Sequence, residues 1–249
     1  MLARLGHFAR AVVYLAVGIW TARAAVFSHA RAVGPGAALK AVLGGGGGRL
    51  FVGAVAFAFF ADALFRLIQA LSEKKRGILA RLALFVRSVG AAALGATALQ
   101  VYRNVRLQRE GDFLRERLGW VMARPWGTKA IIAAGAIAAI AGLREIFQGA
   151  TGRLRETFVK KRMGRLEKKW SMPVARFGLA AHGILIAVMG FFLVRAGLAA
   201  NPGGAVLTGG ALRRVGLLPF GSAMLAGLAV GLIAYGLSQL LFGFYRRES

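Results

Sequence analysis

The stretch "RLGHFAR" at residues 4–10 returns as "RLALFVR" at 81–87 and, more diverged, as "RFGLAAH" at 176–182. In each copy a glycine stands eight positions beyond the closing basic residue: Gly18 after Arg10, Gly95 after Arg87, Gly190 after His182. Offsets of 77 and then 95 residues also carry Arg4 to Arg81 and Arg176, and Arg23 to Gln100 and Arg195. A second set of segments repeats in step. "FADALF" at 60–65 aligns with "GLREIF" at 142–147 and "GLSQLL" at 236–241, so Asp62, Arg144 and Ser238 share one column and Ala63, Glu145 and Gln239 the next. "PWG" at 125–127 answers "PFG" at 219–221. This pattern predicts three copies of a helical hairpin.

Composition says where the hairpins reside. The chain has 249 residues, 57% hydrophobic, with 35 glycines and a mean hydropathy of +0.61, too apolar for an ordinary soluble domain of this length. Six membrane helices are expected, near 8–27, 50–71, 82–102, 130–149, 174–198 and 217–244. The last lies in a charge-free run from Val215 to Tyr245, longer than the roughly 20 apolar residues that span a bilayer. The others have shorter apolar runs, and flanking cations complete them. Arg10 and Arg23 bracket the first helix and His182 and Arg195 the fifth, with Arg87 in the matching slot of the third. These five are expected at the interface, where long cationic side chains reach headgroups. The first helix also reads as a secretory signal, with an Ala-x-Ala pattern at Ala22 and Ala24; the internal copies at 81 and 176 argue against that.

Each hairpin crosses twice, so all three keep one orientation, as parallel repeats do about an axis along the membrane normal. The expected architecture is an all-α integral membrane fold: three parallel-oriented hairpin repeats around a pseudo-threefold axis, in a single domain spanning 1–249. Repeat one covers 1–75, repeat two 76–152, a basic cytoplasmic connector 153–173, and repeat three 174–249.

A formal net charge of +25 invites a nucleic-acid reading, but the charges punctuate apolar stretches and nucleic acid is not an expected partner. With an N-terminus in the cytoplasm, 20 of the 34 basic residues face inward and 14 outward, which predicts both termini cytoplasmic in a bacterial inner membrane. The inward excess rests on "RLRETFVKKRMGRLEKKW" at 153–170. Val159, Met163, Leu166 and Trp170 form an apolar stripe there, and Lys160, Lys161, Arg162, Arg165, Lys168 and Lys169 are candidate contacts for anionic lipid. An ordinary positive-inside connector is the alternative.

Enzyme chemistry finds little support. The chain has no cysteine, and its three histidines, His7, His29 and His182, share no ligand spacing. Ser222 and His182 belong to opposite ends of their helices, about 20 Å apart at about 1.5 Å per residue, too far for a dyad. The glycine run 44–48 lacks the Lys-Ser/Thr of a phosphate loop and reads as a flexible joint after a short "ALKAVL" helix, to which "ALRRVG" at 211–216 corresponds. No enzyme activity, metal or cofactor is expected, although His182 could in principle ligate one.

Intramembrane polar residues are functional candidates by default. Asp62 is the deepest acid, with Arg66 four residues on in the geometry of a helical ion pair; Glu145 and Gln239 are its neighbours in the aligned columns. Gly227-x-x-x-Gly231 allows close helix approach, within the monomer or in a dimer. Two roles follow: a scaffold or accessory subunit holding lipid or a membrane complex, or a channel or carrier along the pseudo-threefold axis.

The segments "ARFGLAAHGILIAVMGFFLVRAG" (175–197) and "PFGSAMLAGLAVGLIAYGLSQLLFGFYRR" (219–247) resemble the domain-of-unknown-function 1206 family of bacterial membrane proteins, whose two-helix unit occurs in three copies. The third unit carries the resemblance most strongly, and the second, with "RSVGAAA" at 87–93, least. The resemblance implies fold and membrane location and carries no catalytic residue.

Overall fold

A computed structural model describes residues 2–27, 34–43, 48–72, 78–103, 110–152 and 165–245. Among them every regular element is helical. The long helices are α1 (Leu2–Val26), α3 (Gly48–Ser72), α4 (Ile78–Tyr102), α6 (Gly127–Thr151), α7 (Arg165–Leu198) and α9 (Gly221–Tyr245). The short ones are α2 (Pro35–Leu43), α5 (Glu110–Met122) and α8 (Thr208–Gly216), with a 3-10 turn at Pro202–Gly204. Five helices are long and apolar enough to cross a membrane: Gly6–Val26, Gly48–Ser72, Gly127–Thr151, Trp170–Leu198 and Gly221–Phe244. The chain is therefore a multi-pass membrane protein. The remaining long helix, α4, carries Arg81 and Arg87 in its first half and is not among the five.

The long helices pack in the order α4, α3, α1, α9, α7, α6, and the tightest pairings are α6 with α7, α1 with α9 and α3 with α4. Apolar burial cannot drive helices together in lipid, so van der Waals contact between small residues must. Between α6 and α7 the glycines of both helices recur every seven residues and meet backbone to backbone. A Cβ on Gly142 would lie 2.5 Å from the Ala187 amide nitrogen, one on Gly190 2.4 Å from that of Ala139, and one on Gly149 2.6 Å from the Arg176 carbonyl oxygen. Gly18 faces Ala229 and Ile233 of α9, while Gly95 faces Phe59 and Phe60 of α3. The three glycines of the recurring spacing thus all sit at these tight pairings.

α1 and α9, first and last, run antiparallel: Phe8 and Phe244 meet edge to face with centroids 5.0 Å apart. The two described ends of the chain share one end of the bundle, here termed the terminal end. At that end Arg81 donates from Nε to the Ala70 carbonyl of α3 at 2.8 Å, and Arg176 to the Gly149 carbonyl of α6 at 2.9 Å. Each satisfies carbonyls that a helix leaves open in its last turn. At the opposite end the short helices cover the bundle. Ala38 and Leu39 of α2, and Ala211 and Leu212 of α8, point inward and are buried.

Two boundaries and one added helix differ from the sequence expectation. α7 begins at Arg165, runs through Pro173 and absorbs the last part of the connector 153–173. The charge-free run from Val215 is not one helix, because Pro219 and Phe220 turn the chain before α9; Phe220 takes φ 61°. α5, with no periodic apolar stripe, was not expected as a helix. Gly44–Gly47 lie outside the described residues.

Candidate functional site: a buried polar network

α1 carries His7, Arg10 and Tyr14 at spacings of three and four, which place them on one stripe. Residues of four neighbouring helices converge on that stripe near the terminal end. By helix geometry the convergence lies within about 10 Å of the helix midpoints at about 1.5 Å per residue, inside a hydrocarbon layer whose half-thickness is about 15 Å.

Asp62 of α3 is fully buried, and its Oδ2 accepts from Arg66 Nε at 2.8 Å and from Arg10. Its Oδ1 has no hydrogen-bond partner. That oxygen faces Gly6, where an added Cβ would come within 2.6 Å of it. Glycine at position 6 is what allows the carboxylate to lie against the α1 backbone. The triad sets two guanidinium groups against one carboxylate, so it carries an excess positive charge where charge is costly.

His7 Nδ1 lies 2.6 Å from Gln239 Oε1 of α9, in a buried hydrogen bond that the imidazole donates. Further along, His182 of α7 sits among three helices. Its Nδ1 is 2.7 Å from Glu145 Oε2 of α6, its Nε2 is 2.9 Å from the Tyr14 hydroxyl, and its ring stacks on Tyr235 of α9 at 4.0 Å and 5°. With Nδ1–H donating to the carboxylate, Nε2 is left to accept the Tyr14 proton. Tyr14 meets both rings edge-on, each with centroids 4.9 Å apart, the geometry that aromatic quadrupoles favour. Apart from Asp62 Oδ1, the described polar groups of the network are engaged within the protein: Ser238 turns its hydroxyl to the Tyr235 carbonyl at 2.7 Å, and no cluster of three metal-ligating side chains occurs among the described residues.

Asp62, Arg66, Glu145 and Gln239 are thus brought into one belt. Two of the expected interfacial cations are displaced into it, which is a correction: Arg10 is mostly buried, its side chain 14% exposed, and His182 is buried. In each case a carboxylate on a neighbouring helix holds the side chain inside, and a hydrogen-bonded pair within the protein replaces a headgroup contact. Arg23 and Arg195 are exposed near the opposite end of their helices, and Arg23 lies over the Trp20 ring at 4.8 Å. The side chain of Arg87 lies outside the described residues. So do Lys160, Lys161 and Arg162, while Arg165, Lys168 and Lys169 fall in the opening turns of α7 with side chains that are not described. Gly231 packs on Ala181 within the monomer, whereas Gly227 meets open space.

Tyr14, Tyr235, His7 and Gly6 are the network members the sequence reading passed over. Their signal was spacing: Tyr14 stands one helical turn after Arg10, and Tyr235 one turn before Gln239.

A protein of Bacillus subtilis (strain 168), "Uncharacterized protein YxxB", is 24% identical to the chain over 250 residues, covering 98% of this chain and 90% of its own length. No solved structure matches. The family described as Domain of Unknown Function (DUF1206) matches residues 5–73, which hold α1 and α3, and 177–246, which hold most of α7 and α9. Those two regions make up more than half of the sequence and contain both faces of the Arg10–Asp62 and His7–Gln239 contacts, so the chain belongs to the DUF1206 family.

Proposed function

We propose that this protein is a non-enzymatic scaffold or accessory subunit of a membrane complex, built from three two-helix units with six spans, α4 being the sixth. Three correspondences support the repeat. Gly18, Gly95 and Gly190 each meet the second long helix of a neighbouring unit. Arg81 and Arg176 cap the helix that ends the preceding unit. Gly127 and Gly221 close matching turns, with amides 2.9 Å from the Arg124 carbonyl and 2.8 Å from the Leu218 carbonyl.

The observation that carries the scaffold reading is the mutual pairing of the buried polar groups, together with backbone-close packing at α6–α7. Such an interior directs its polar groups at neighbouring helices and is suited to hold them in place. Both termini would be cytoplasmic in a bacterial inner membrane, and the six basic residues Lys160 to Lys169 would hold anionic lipid. A channel or carrier is the second reading. It draws on the absence of comparable packing between α4 and α6 among the described residues, which would leave unit two open along one side.

Purification of the native protein in mild detergent, with bound lipids and proteins identified by mass spectrometry, tests the scaffold: stable protein partners are expected. Solute flux in reconstituted vesicles, abolished by Asp62→Asn without loss of stability, would replace it with the carrier. A reporter fused after Ser249 that is active only in the periplasm would reverse the orientation.

A further inference from the structure

The end of the bundle opposite the termini carries a second feature. There Trp20 near the end of α1 and Ala37, Lys40 and Ala41 on the outer face of α2 line an open hollow of about 280 Å³, mostly apolar. Arg23 borders the same indole. Neither Lys40 nor Arg23 has an acidic partner among the described residues.

Unit three fills the corresponding place. The repeat offsets carry Trp20 to Phe192, and the match of "ALKAVL" at 38–43 with "ALRRVG" at 211–216 carries Lys40 to Arg213 and Ala41 to Arg214. The Arg214 guanidinium lies over the Phe192 ring, 4.1 Å from its centroid. In unit one the cation over the corresponding ring is Arg23 of α1, 4.8 Å from the Trp20 centroid. The methyl group of Ala41 cannot reach as the Arg214 guanidinium does, so the hollow between Trp20 and α2 stays open beside two positive charges.

Depth indicates what such a place meets. From the midpoint of α1, Trp20 stands about 9 Å and Arg23 about 14 Å toward this end, at about 1.5 Å per residue. The hydrocarbon boundary is about 15 Å from the bilayer centre. An apolar floor just inside that boundary and two cations at it complement the upper chain and phosphate of a lipid. The volume admits a headgroup and the first chain carbons, below the 300–1,000 Å³ usual for drug-sized ligands.

We propose that the hollow is a binding site for one anionic phospholipid of the leaflet opposite the termini. Lys40 and Arg23 hold the phosphate, and Trp20, Ala37 and Ala41 receive the glycerol and upper acyl chain. The site rests on the membrane placement and unit correspondence proposed above, and is independent of any protein partner.

The full chain in nanodiscs of phosphatidylcholine, with phosphatidylglycerol added stepwise, is read by native mass spectrometry for lipid adducts. Ala41→Arg, which supplies unit three's guanidinium, is expected to lose one phosphatidylglycerol adduct that the parent retains. Lys40→Gln should weaken that adduct about fivefold, the effect of one cation near a charged surface. The basic residues 160–169 are untouched in both variants, so adducts held there persist. Should Ala41→Arg fail to fold, the Arg23→Gln/Lys40→Gln double variant carries the test, with a larger loss expected. Unchanged adducts in the folded variants would overturn the site, as would equal retention of phosphatidylcholine and phosphatidylglycerol by the parent. Protein partners are scored in the native purification, so their absence removes the scaffold reading alone.

Discussion

The junction of α1 with α3 and the junction of α6 with α7 solve the same problem by opposite means. α6 and α7 touch backbone to backbone along glycines for most of their length. α1 and α3 share much less surface and are joined by Arg10 and Arg66 on Asp62. Charge holds helices where close packing does not, and packing suffices where every seventh residue is glycine. His182–Glu145 lies between these extremes, a hydrogen-bonded pair set near the α6–α7 seam.

The sharpest way to break this contrast is at Asp62. Asp62→Ala leaves two buried guanidinium groups facing each other and should cost about 3–5 kcal/mol, as loss of one partner of a buried pair does, measured by thermal unfolding in detergent. Arg66→Ala leaves a balanced Arg10–Asp62 pair and should cost clearly less. The Asp62→Ala/Arg66→Ala double variant strands Arg10, so recovery requires removing all three charges. Equal losses for the two single variants would show that the excess charge is not felt.

Next in size is Gly142→Val. Its Cβ would lie 2.5 Å from the Ala187 amide nitrogen, an atom of backbone that cannot yield without separating the helices, and a loss of about 3 kcal/mol is expected. A parent-like melting temperature would mean that α6 and α7 are not held at this distance. His182→Phe should cost about 1–3 kcal/mol, because the ring can still stack on Tyr235 while two hydrogen bonds disappear. A loss as large as that of Asp62→Ala would place the His182–Glu145 pair on a par with the Asp62 triad.

Gly227→Ala is the smallest effect. Nothing lies within 4 Å of the added methyl group, and alanine is the better helix former by up to about 1 kcal/mol, so stability should be unchanged or raised. Gly231→Ala, whose Cβ would fall 2.1 Å from that of Ala181, should go the other way. If Gly227→Ala instead dissociates an oligomer seen by size-exclusion chromatography, its open face is a contact between copies.

Much of this fold is legible in the amino-acid order because membrane helices announce themselves by apolar length, and five of the expected spans coincide with helices long and apolar enough to cross. Asp62 and Arg66 were legible as a pair because both belong to one helix and one turn separates them. Arg10 and His182 were misplaced for the converse reason. A cation near the end of an apolar run reads as interfacial unless its acid is known to stand opposite, and both acids belong to other helices. The join of the connector to α7 was hidden by Pro173, which reads as a helix boundary although the helix passes through it.

The pairing of α1 with α9 sets a schedule for biogenesis. The first helix to leave the ribosome must wait for the last, roughly 10–40 s at about 5–20 residues per second, with most of its final contacts missing. Asp62 emerges early in that interval. By engaging Arg10 it gives the nascent α1 an acidic partner within its own hairpin, so the helix can stay in the bilayer until Gln239 arrives for His7. A chain truncated before α9 would keep the ion triad and leave His7 and Gly18 facing lipid, a defined orphan surface for membrane quality control.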